Sequence, residues 1–373
     1  MTTAKPVIVA LSGGVDSAVA ALLLRDAGYE VQCLHMSNWD DDGDCDAAAE
    51  FQDARKIARH LGLPLHRVSF AAEYRNQVFS EFLAECRAGR TPNPDVLCNR
   101  RIKFGAMRRY ARRLGAAYLA TGHYARLIRT QAQPQLFKGA DRNKDQSYFL
   151  HGVAGTAFED VLFPLGDMHK LEVRARARAA NMPSADKKDS TGICFIGERD
   201  FAEFLARYLP AEPGPIRAPD GHLLGEHRGL AFFTLGQRHG LELGGLRGFG
   251  PEPWYVAAKD TTTNTLVVVQ GTNHPLLYQN WLTAESIHWI NGPPPAWDDG
   301  ATLQCRAKTR YRQPDAACSV ARAGTDSLRA DFERPQRAVT PGQFVVFYQG
   351  DRCLGGATIA AAGMNRAALA AAG

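Results

Sequence analysis

Residues 7–17 read VIVALSGGVDS, and this stretch decides the fold of the first part of the chain. Its apolar run predicts a buried strand over Val7–Leu11, and the apolar pattern that follows predicts a helix over Asp16–Asp26. A strand that turns through glycines into a helix brings backbone N–H groups and a helix N-terminus together, a geometry that receives phosphate. Gly13 and Gly14 permit positive φ and close approach of a phosphate. The stretch predicts a nucleotide site, with an ordinary turn between strand and helix as the alternative.

The same alternation of strand and helix continues over the first two hundred residues. Further strands are predicted at Val31–Met36, Leu65–Phe70 and Ala117–Thr121, with helices at Asp46–Leu61 and Glu73–Arg87. This order predicts an α/β fold with a doubly wound parallel sheet, whose ligand lies at the carboxyl ends of the strands. The glycine loop follows the first strand and therefore lies at that edge.

Two breaks divide the 373 residues into three predicted domains. The run PAEPGP at residues 210–215 cannot continue a helix, and a second break falls near His274. We predict a catalytic domain over residues 1–209, a small central domain over 210–275 and a C-terminal domain over 276–373. In the central domain, strands are predicted at residues 231–235, 254–258 and 266–270. In the C-terminal domain, short strands at 302–308, 317–321, 327–332 and 344–348 indicate a small barrel or sandwich.

Composition excludes several classes of protein. The chain has no apolar run near the roughly 20 residues that cross a bilayer, and its N-terminus lacks a secretory signal. Its eight cysteines form no C-x-x-C pair, so a zinc ribbon or a Cys-rich iron–sulfur site has no local support. These features predict a cytoplasmic protein that does not act at a membrane.

Two cysteines differ from the others by their neighbours. Cys98 lies in TPNPDVLCNRR, where two prolines make the approach rigid and a cationic helix is predicted to start just afterwards. Cys194 lies in DSTGICFIGE, between glycines and downstream of Lys187 and Lys188. Both settings suit a reactive thiol, and small core residues are the alternative for both.

Seven motifs in chain order carry a resemblance that covers the whole chain: SGGVDS, GRTPNPDVLCN, ATGHYAR, NKDQSYFL, KDSTGICFIGER, TLGQRHGL and KTRYRQ. SGGVDS resembles the pyrophosphate loop of ATP pyrophosphatases, and the full set resembles the tRNA 2-thiouridylases of that superfamily. Members of this family put sulfur on C2 of the wobble uridine of certain tRNAs. The resemblance implies a nucleotide-binding domain, a small central domain and a C-terminal β-barrel.

The resemblance also assigns roles to residues of this chain. It implies that ATP is bound by Ala10, Leu11, Ser12, Gly13, Gly14, Val15, Asp16, Ser17, Met36 and Gly122. It implies that the target base is held by Asn93, Pro94 and Asp95. The residues implied to contact tRNA are His123, Lys144, Asp145, Gln146, Arg310, Tyr311 and Gln343. A satisfied structural histidine is the alternative for His123, and a core methionine is the alternative for Met36.

The implied chemistry uses ATP, with Mg²⁺ bound to its phosphates and no protein metal site of its own. The uridine C2 oxygen is adenylylated with release of pyrophosphate, and Asp95 either takes the N3 proton or acts as a structural cap. Cys98 is the implied nucleophile, and Cys194 carries persulfide sulfur from a relay protein. Direct attack by the persulfide and attack by released hydrosulfide both remain open, and each leaves a Cys98–Cys194 disulfide.

Two cationic stretches predict contacts with RNA and none with DNA. Residues 99–113 hold seven Lys or Arg and no acid, and helical spacing predicts a core stripe of Met107, Tyr110, Ala111 and Leu114. Away from that stripe we expect a phosphate-binding face formed by Arg108, Arg109, Arg112 and Arg113. On a predicted strand, one face would carry Arg306, Lys308, Arg310 and Arg312. A solvated charged face is the alternative for the helix.

Two other functions compete with thiolation of tRNA. The first is the function of another ATP pyrophosphatase, either an amidotransferase-linked synthetase or a cytidine thiolase. The sequence has no glutaminase segment, which argues against the synthetase, and no C-x-x-C, which argues against a cluster-dependent thiolase. A non-catalytic tRNA-binding protein predicts damage to SGGVDS or loss of Cys98 or Cys194, and all three are intact.

Overall fold

The structure is a computed structural model that describes residues 5–39, 45–131, 133–189, 201–244 and 248–365. The predicted sulfur carrier, Cys194, lies outside the described residues.

A five-stranded parallel sheet forms the centre of the first domain. Along the chain the strands up to residue 162 are β1 Pro6–Ala10, β2 Glu30–Ser37, β3 Leu65–Ser69, β4 Tyr118–Ala120, β5 Ala125–Ile128, β6 Gln135–Lys138 and β7 Val161–Leu162. The parallel sheet has the order β3-β2-β1-β4-β7, with β1 at its centre. Val7, Ile8 and Val9 are buried because both faces of β1 are covered. The doubly wound parallel sheet predicted from the sequence is therefore confirmed.

Helices cover this sheet on both sides. The longer ones are Val15–Asp26, Cys45–Leu61, Ser80–Arg87 and Lys170–Ala179. Shorter helices lie at Ala71–Tyr74, Ser147–Leu150 and Phe201–Ala206, with a 3-10 turn at Gly155–Phe158. The helix predicted over Glu73–Arg87 is interrupted by a π-helical stretch, Arg75–Phe79.

Cys98 lies in a run of three consecutive helical segments, which we call together the cysteine helix: Pro94–Leu97, Cys98–Met107 and Arg108–Arg113. The middle segment is π-helical. Such stretches are rare and often occur at functional sites. The helix predicted to start after Cys98 in fact begins at Pro94. Asn93 fixes that start, because its side-chain oxygen accepts a hydrogen bond from the N–H of Asp95.

The central domain is a four-stranded sheet of β8 Gly214–Arg217, β9 Leu223–His227, β10 Trp254–Asp260 and β11 Thr265–Gln270, in the order β10-β11-β8-β9. The strands predicted at 254–258 and 266–270 are present. The strand predicted at 231–235 is wrong, because Leu230–Phe232 forms a 3-10 turn. Phe232 and Phe233 are consecutive and both buried, whereas a strand would send them to opposite faces.

The C-terminal domain is a closed barrel of β12 Tyr278–Trp289, β13 Leu303–Lys308, β14 Ala316–Arg322, β15 Ser327–Arg337, β16 Phe344–Gln349 and β17 Arg352–Gly363. The order is β12-β15-β14-β13-β16-β17, and pairing of β12 with β17 closes the ring. The barrel interior holds Leu282, Val345, Phe347 and Ile359, all fully buried. Short helical turns lie at Pro275–Leu277 and Pro295–Asp298.

The β5–β6 hairpin comes from the first domain but extends the sheet of the barrel. Its strands pair with each other from Ala125 to Lys138, and Phe137 of β6 pairs with Arg352 of β17. Lys138 at the end of β6 is buried, and its Nζ lies 2.6 Å from the Asp315 carboxylate of the barrel. The first domain and the barrel thus share a continuous sheet.

Within the described ranges, no helix is long and apolar enough to cross a bilayer. Among the same residues, no cluster of three His, Cys, Asp or Glu side chains could hold a metal ion.

Candidate active site at the carboxyl edge of the sheet

The glycine loop leads from β1 into the helix Val15–Asp26 and leaves the start of that helix open. Gly13 has φ of +86°, and a Cβ there would lie 2.7 Å from the carbonyl oxygen of Glu50. Gly14 is the N-cap residue, and no side chain among the described residues caps the helix. The Ser17 hydroxyl braces the loop, because it donates to the Gly14 carbonyl at 3.1 Å and accepts from the Ser12 N–H at 3.2 Å. The first N–H groups of the helix are therefore available to an anion.

Gly122 brings the end of β4 against this loop. A Cβ at Gly122 would lie 2.9 Å from both the carbonyl carbon of Asp16 and the backbone nitrogen of Ser17. Met36, near the end of β2, is half-buried and packs against the core. The ends of three neighbouring strands thus contribute residues of the predicted ATP set to one edge of the sheet.

A set of ion pairs lies beside the loop, and sequence reasoning did not identify its central member, Lys170. The Lys170 Nζ lies 2.6 and 2.8 Å from the two carboxylate oxygens of Asp16 and 2.9 Å from the Asp189 carboxylate. The Tyr124 hydroxyl donates to Asp16 at 2.6 Å. Lys144 and Arg174 also pair with Asp189, at 2.7 and 2.8 Å. His169 and Glu172 form a capping box at the start of the helix that carries Lys170. Their H-x-x-E spacing is a sequence signal for the start of that helix.

The electrostatics of this set favour ionised carboxylates. Burial alone would raise the pKa of the Asp189 carboxyl, but hydrogen bonds from Lys144 and Lys170 outweigh burial and lower it to about 2. Burial and the neighbouring Asp16 raise the pKa of Tyr124 well above its usual value, so the phenol stays a hydrogen-bond donor. The Asp189 carboxylate therefore stays ionised over the whole physiological range.

Cys98 lies within reach of this same edge. Its thiol is buried, with 2% of the residue exposed, and Asn38 Nδ2 donates to Cys98 Sγ at 3.8 Å. Asn38 directly follows β2, so the contact joins the edge of the sheet to the first turn of the π-helical segment. Asp95 lies one turn earlier and is half-buried. The structure therefore brings Cys98, Asn93 and Asp95 together at the start of one helix.

The barrel holds the segment that leads into the cysteine helix. The Thr91 N–H donates to the Pro341 carbonyl at 3.0 Å, and the Gln343 side chain donates to the Thr91 carbonyl at 2.7 Å. Gly342 between them has φ of +89°, and a Cβ there would lie 2.8 Å from the Thr91 nitrogen. Both backbone groups of Thr91, two residues before Asn93, are thus fixed by one barrel turn, which we call the 341–343 turn.

Most residues implied to contact tRNA have internal partners in this structure. His123 is buried and its Nδ1 lies 2.6 Å from the Thr121 hydroxyl; burial lowers its pKa well below the usual value. Asp145 is buried and accepts from the N–H groups of Gly139 and Ser147. Gln146 accepts from the N–H of Tyr124 at 3.0 Å. These bonds organise the segment that carries half-exposed Lys144 beside the loop.

The predicted arginine face of the cysteine helix is only half correct. Arg108 and Arg112 both pair with Asp160, which leaves the Arg108 side chain half-buried and Arg112 exposed. Arg109 and Arg113 are exposed. The core stripe holds at Met107 and Ala111, but Leu114 is 37% exposed because the helix ends at Arg113.

The predicted row of four cations in the barrel is wrong. β13 ends at Lys308, so the period of two does not reach residue 310. Lys308 is buried and pairs with Asp145 at 3.4 Å, and Arg306 donates to the Asp315 carbonyl. Arg310 donates to the Leu235 carbonyl and the Thr340 hydroxyl at 2.6 and 2.8 Å. Lys308 and Arg306 therefore lie near carboxylates of this chain, Arg310 is held by neutral acceptors, and Arg312 is exposed. The tRNA contact implied for Arg310 stays a prediction.

Tyr311, next to this row, packs its ring against Phe149 with centroids 4.4 Å apart. It is half-buried between the barrel and the first domain. The sequence left open whether Tyr311 stacks on a base or packs in the barrel. In the structure its ring contacts Phe149 of the same chain.

Comparison with known proteins covers nearly the whole chain. Residues 5–198 match a tRNA methyl transferase HUP domain, residues 202–270 a tRNA methyl transferase PRC-barrel domain, and residues 279–359 an aminomethyltransferase beta-barrel domain. The tRNA-specific 2-thiouridylase MnmA of Methylococcus capsulatus is 56% identical over 356 residues, 95% of each chain. The protein of the same name from Marinobacter nauticus is 54% identical, and the match covers 95% of this chain and 90% of that protein. The one from Burkholderia pseudomallei is 52% identical, and the match covers 100% of this chain and 97% of that protein.

Proposed function

The chain belongs to the family of tRNA-specific 2-thiouridylases, and from this premise we propose how the carboxyl edge of the sheet performs ATP-dependent thiolation of the wobble uridine of tRNA. One observation carries the proposal: Asn38, at the end of β2, contacts the thiol of Cys98. That contact supports the proposal, because it brings the Cys98 thiol to the edge of the sheet where the helix start can receive phosphate.

The first step activates the base. The uridine C2 oxygen attacks the α-phosphorus of ATP, a C2–O–P bond forms, and the bond to the β-phosphate oxygen breaks. Pyrophosphate leaves with that electron pair, and the N3 proton leaves the ring. The N–H groups at the start of helix Val15–Asp26 face the charge that develops on the phosphates. Gly14 keeps a side chain out of that approach, whereas glycine at 13 and 122 lets the backbone of Glu50 and of Asp16 pack closely against the loop.

Mg²⁺ supplies neutralisation of phosphate charge when bound with ATP. Mg²⁺ sites on nucleotides need only one or two protein carboxylates, and Asp16 is the carboxylate at this loop that fits such a role. Asp95, near the start of the cysteine helix, is our candidate for accepting the N3 proton. Asn93 positions it, because the Asn93 side chain holds the Asp95 N–H.

The second step replaces oxygen by sulfur, with a Cys194 persulfide as the source. In one route the terminal persulfide sulfur attacks C2 and AMP leaves; Cys98 then attacks the Cys194 sulfur and releases thiouridine. In the other route Cys98 attacks the Cys194 sulfur first, and the released hydrosulfide displaces AMP from C2. Both routes form a Cys98–Cys194 disulfide, and an external thiol reductant must supply two electrons for the next turnover.

Two macromolecular partners follow from this chemistry. The tRNA is the substrate, and a persulfide relay protein supplies sulfur to Cys194. The cytoplasmic location expected from the sequence stays a prediction, as do the domain limits at 209 and 275.

The deciding experiment is single-turnover thiolation by the pure protein with ATP, Mg²⁺, sulfide and unmodified tRNA. Nucleoside mass spectrometry measures 2-thiouridine, and AMP is measured in the same samples. With a protein persulfide donor in place of sulfide, we expect equal amounts of 2-thiouridine and AMP from the wild type and no 2-thiouridine from Cys98→Ala or Cys194→Ala. With sulfide, which replaces the released hydrosulfide, both variants should form 2-thiouridine. AMP without 2-thiouridine would contradict the proposed target base.

A further inference from the structure

Lys170 is a buried cation that pairs with Asp16, in the first turn of the helix Val15–Asp26. Its side chain is only 10% exposed, and its Nζ is within hydrogen-bond distance of three carboxylate oxygens, two from Asp16 and one from Asp189. Its backbone N–H is fixed as well, because it donates to the buried Asp141 carboxylate at 2.9 Å. Both ends of this residue are therefore held in place before any nucleotide binds.

The charge balance around the loop calls for a cation at this position. Residues 11–17 contain no Lys or Arg and include the acid Asp16. A polyphosphate that approached the start of helix Val15–Asp26 would meet the Asp16 carboxylate, and like charges repel at such distances. Among the described residues, Lys170 is the one Lys or Arg that pairs with Asp16.

The neighbouring ion pairs let Lys170 change partners without leaving a carboxylate unpaired. Asp189 keeps Lys144 and Arg174, at 2.7 and 2.8 Å, when Lys170 turns away. Asp16 keeps the Tyr124 hydroxyl at 2.6 Å and is itself one-third exposed. A lysine ammonium has three donors and a flexible stem, so a small rotation is enough to exchange a carboxylate oxygen for a phosphate oxygen.

We propose that Lys170 binds the β- and γ-phosphates of ATP and stays with pyrophosphate as it leaves. In the free protein Asp16 and Asp189 hold the ammonium beside the loop; in the complex the phosphates replace one or both of them. This inference rests on the use of ATP proposed above, and it adds a residue that none of the sequence motifs indicated.

A purely structural role is the competing explanation, because the same ion pair joins the helices Val15–Asp26 and Lys170–Ala179. The two explanations predict different losses of affinity for α,β-methylene-ATP and for AMP when Lys170 is replaced. A phosphate contact beyond the α-position is present with α,β-methylene-ATP, whose scissile bond cannot break, and absent with AMP. A structural defect weakens both ligands.

The test is calorimetric titration of the full chain with α,β-methylene-ATP and with AMP, in the presence of Mg²⁺. For Lys170→Met we expect the Kd of α,β-methylene-ATP to rise about tenfold or more, as for loss of a charge-assisted hydrogen bond. The Kd of AMP should change less than about twofold. Lys170→Arg, which keeps the charge, should recover part of the loss.

Arg174→Gln is the matched control. It removes a positive charge from the same helix and from the same Asp189 carboxylate, but it does not touch Asp16. We expect it to leave the ratio of the two Kd values unchanged. An equal effect of Lys170→Met on both ligands, or no effect on either, would overturn the proposal.

A second measurement does not require the variant to fold. In the wild type, α,β-methylene-ATP should slow reductive methylation of Lys170 more than AMP does, with exposed Lys5, which precedes β1 at the opposite edge of the sheet, as the internal reference. Equal rates with the two ligands would also overturn the assignment. If the wild type binds neither nucleotide, the proposed function fails. If the wild type binds both nucleotides and Lys170→Met binds them equally well, only the role of Lys170 fails.

Discussion

Gly13 and Gly14 are neighbours in the chain, yet each lacks a side chain for a different reason. Gly13 has a left-handed backbone and lies against the carbonyl of Glu50, so the fold itself requires glycine there. Gly14 has φ of −91°, and its nearest contact for an added Cβ is an ordinary 3.5 Å from Ser12 Oγ. The fold therefore does not require glycine at the second position, and the requirement that we propose there is the approach of ATP.

Serine substitutions separate these two requirements. Gly13→Ser should lower the free energy of unfolding by about 2 kcal/mol or more, from left-handed strain and the clash with Glu50. Gly14→Ser should melt like the wild type, because serine is a good N-cap residue, but it should weaken binding of α,β-methylene-ATP. Thermal unfolding and titration of both variants measure this. A stable Gly13→Ser, or a Gly14→Ser that binds normally, would contradict it.

At the level of single residues, the sequence predicted the glycine loop well because strand, turn and helix are neighbours in the chain. It missed Lys170, since the contact with Asp16 spans 154 positions and depends on how two helices pack. Asn38 was missed for the same reason: nothing local indicates that an amide after β2 reaches the thiol of Cys98.

The cysteine helix shows how one element can serve two purposes along its length. Its start, capped by Asn93, carries Asp95 and Cys98, and its last segment, Arg108–Arg113, carries four arginines. Periodicity predicted the buried side at Met107 and Ala111 correctly. It could not predict that Asp160, which precedes β7, would neutralise Arg108 and Arg112, because that pairing depends on the packing of a separate segment.

Pairs of alanine substitutions should divide the arginines of this helix by function. Arg109→Ala with Arg113→Ala should weaken tRNA binding and flatten its dependence on the logarithm of salt concentration by about one unit per lost contact. Arg108→Ala with Arg112→Ala should instead lower the melting temperature, because Asp160 loses both partners. Filter binding across a salt series and thermal unfolding test both. An unchanged slope in the first pair would place the RNA elsewhere.

At the scale of the whole molecule, the barrel participates in the catalytic edge. Its 341–343 turn fixes both backbone groups of Thr91, and the segment from Thr91 leads directly into the cap of the cysteine helix. The short strands predicted a barrel or a sandwich, and the family resemblance implied a barrel. Neither predicted this contact or the shared hairpin, because β6 and β17 are joined by side-chain and backbone complementarity across 215 positions.

The pair Gly342→Ala and Gly350→Ala tests that coupling. Both glycines have positive φ, at +89° and +57°, so both variants carry similar left-handed strain. Only Gly342 faces Thr91; an added Cβ at Gly350 meets nothing within 4 Å. We expect Gly342→Ala to slow single-turnover thiolation about tenfold or more, as misplacement of a catalytic group does. Gly350→Ala should keep the wild-type rate, and equal rates for the two would show that the turn is irrelevant to catalysis.

The shared hairpin also bears on how the protein is made. During translation β6 emerges about 210 residues before its partner Arg352 in β17. At roughly 5–20 residues per second, the ribosome needs about 10–40 s to supply that partner. Throughout that interval one edge of β6 can pair with β5 while the other edge lacks its partner strand, and such edges invite pairing with other chains. The nascent chain therefore passes through a stage at which a chaperone, or crowding by neighbouring ribosomes, would decide its yield.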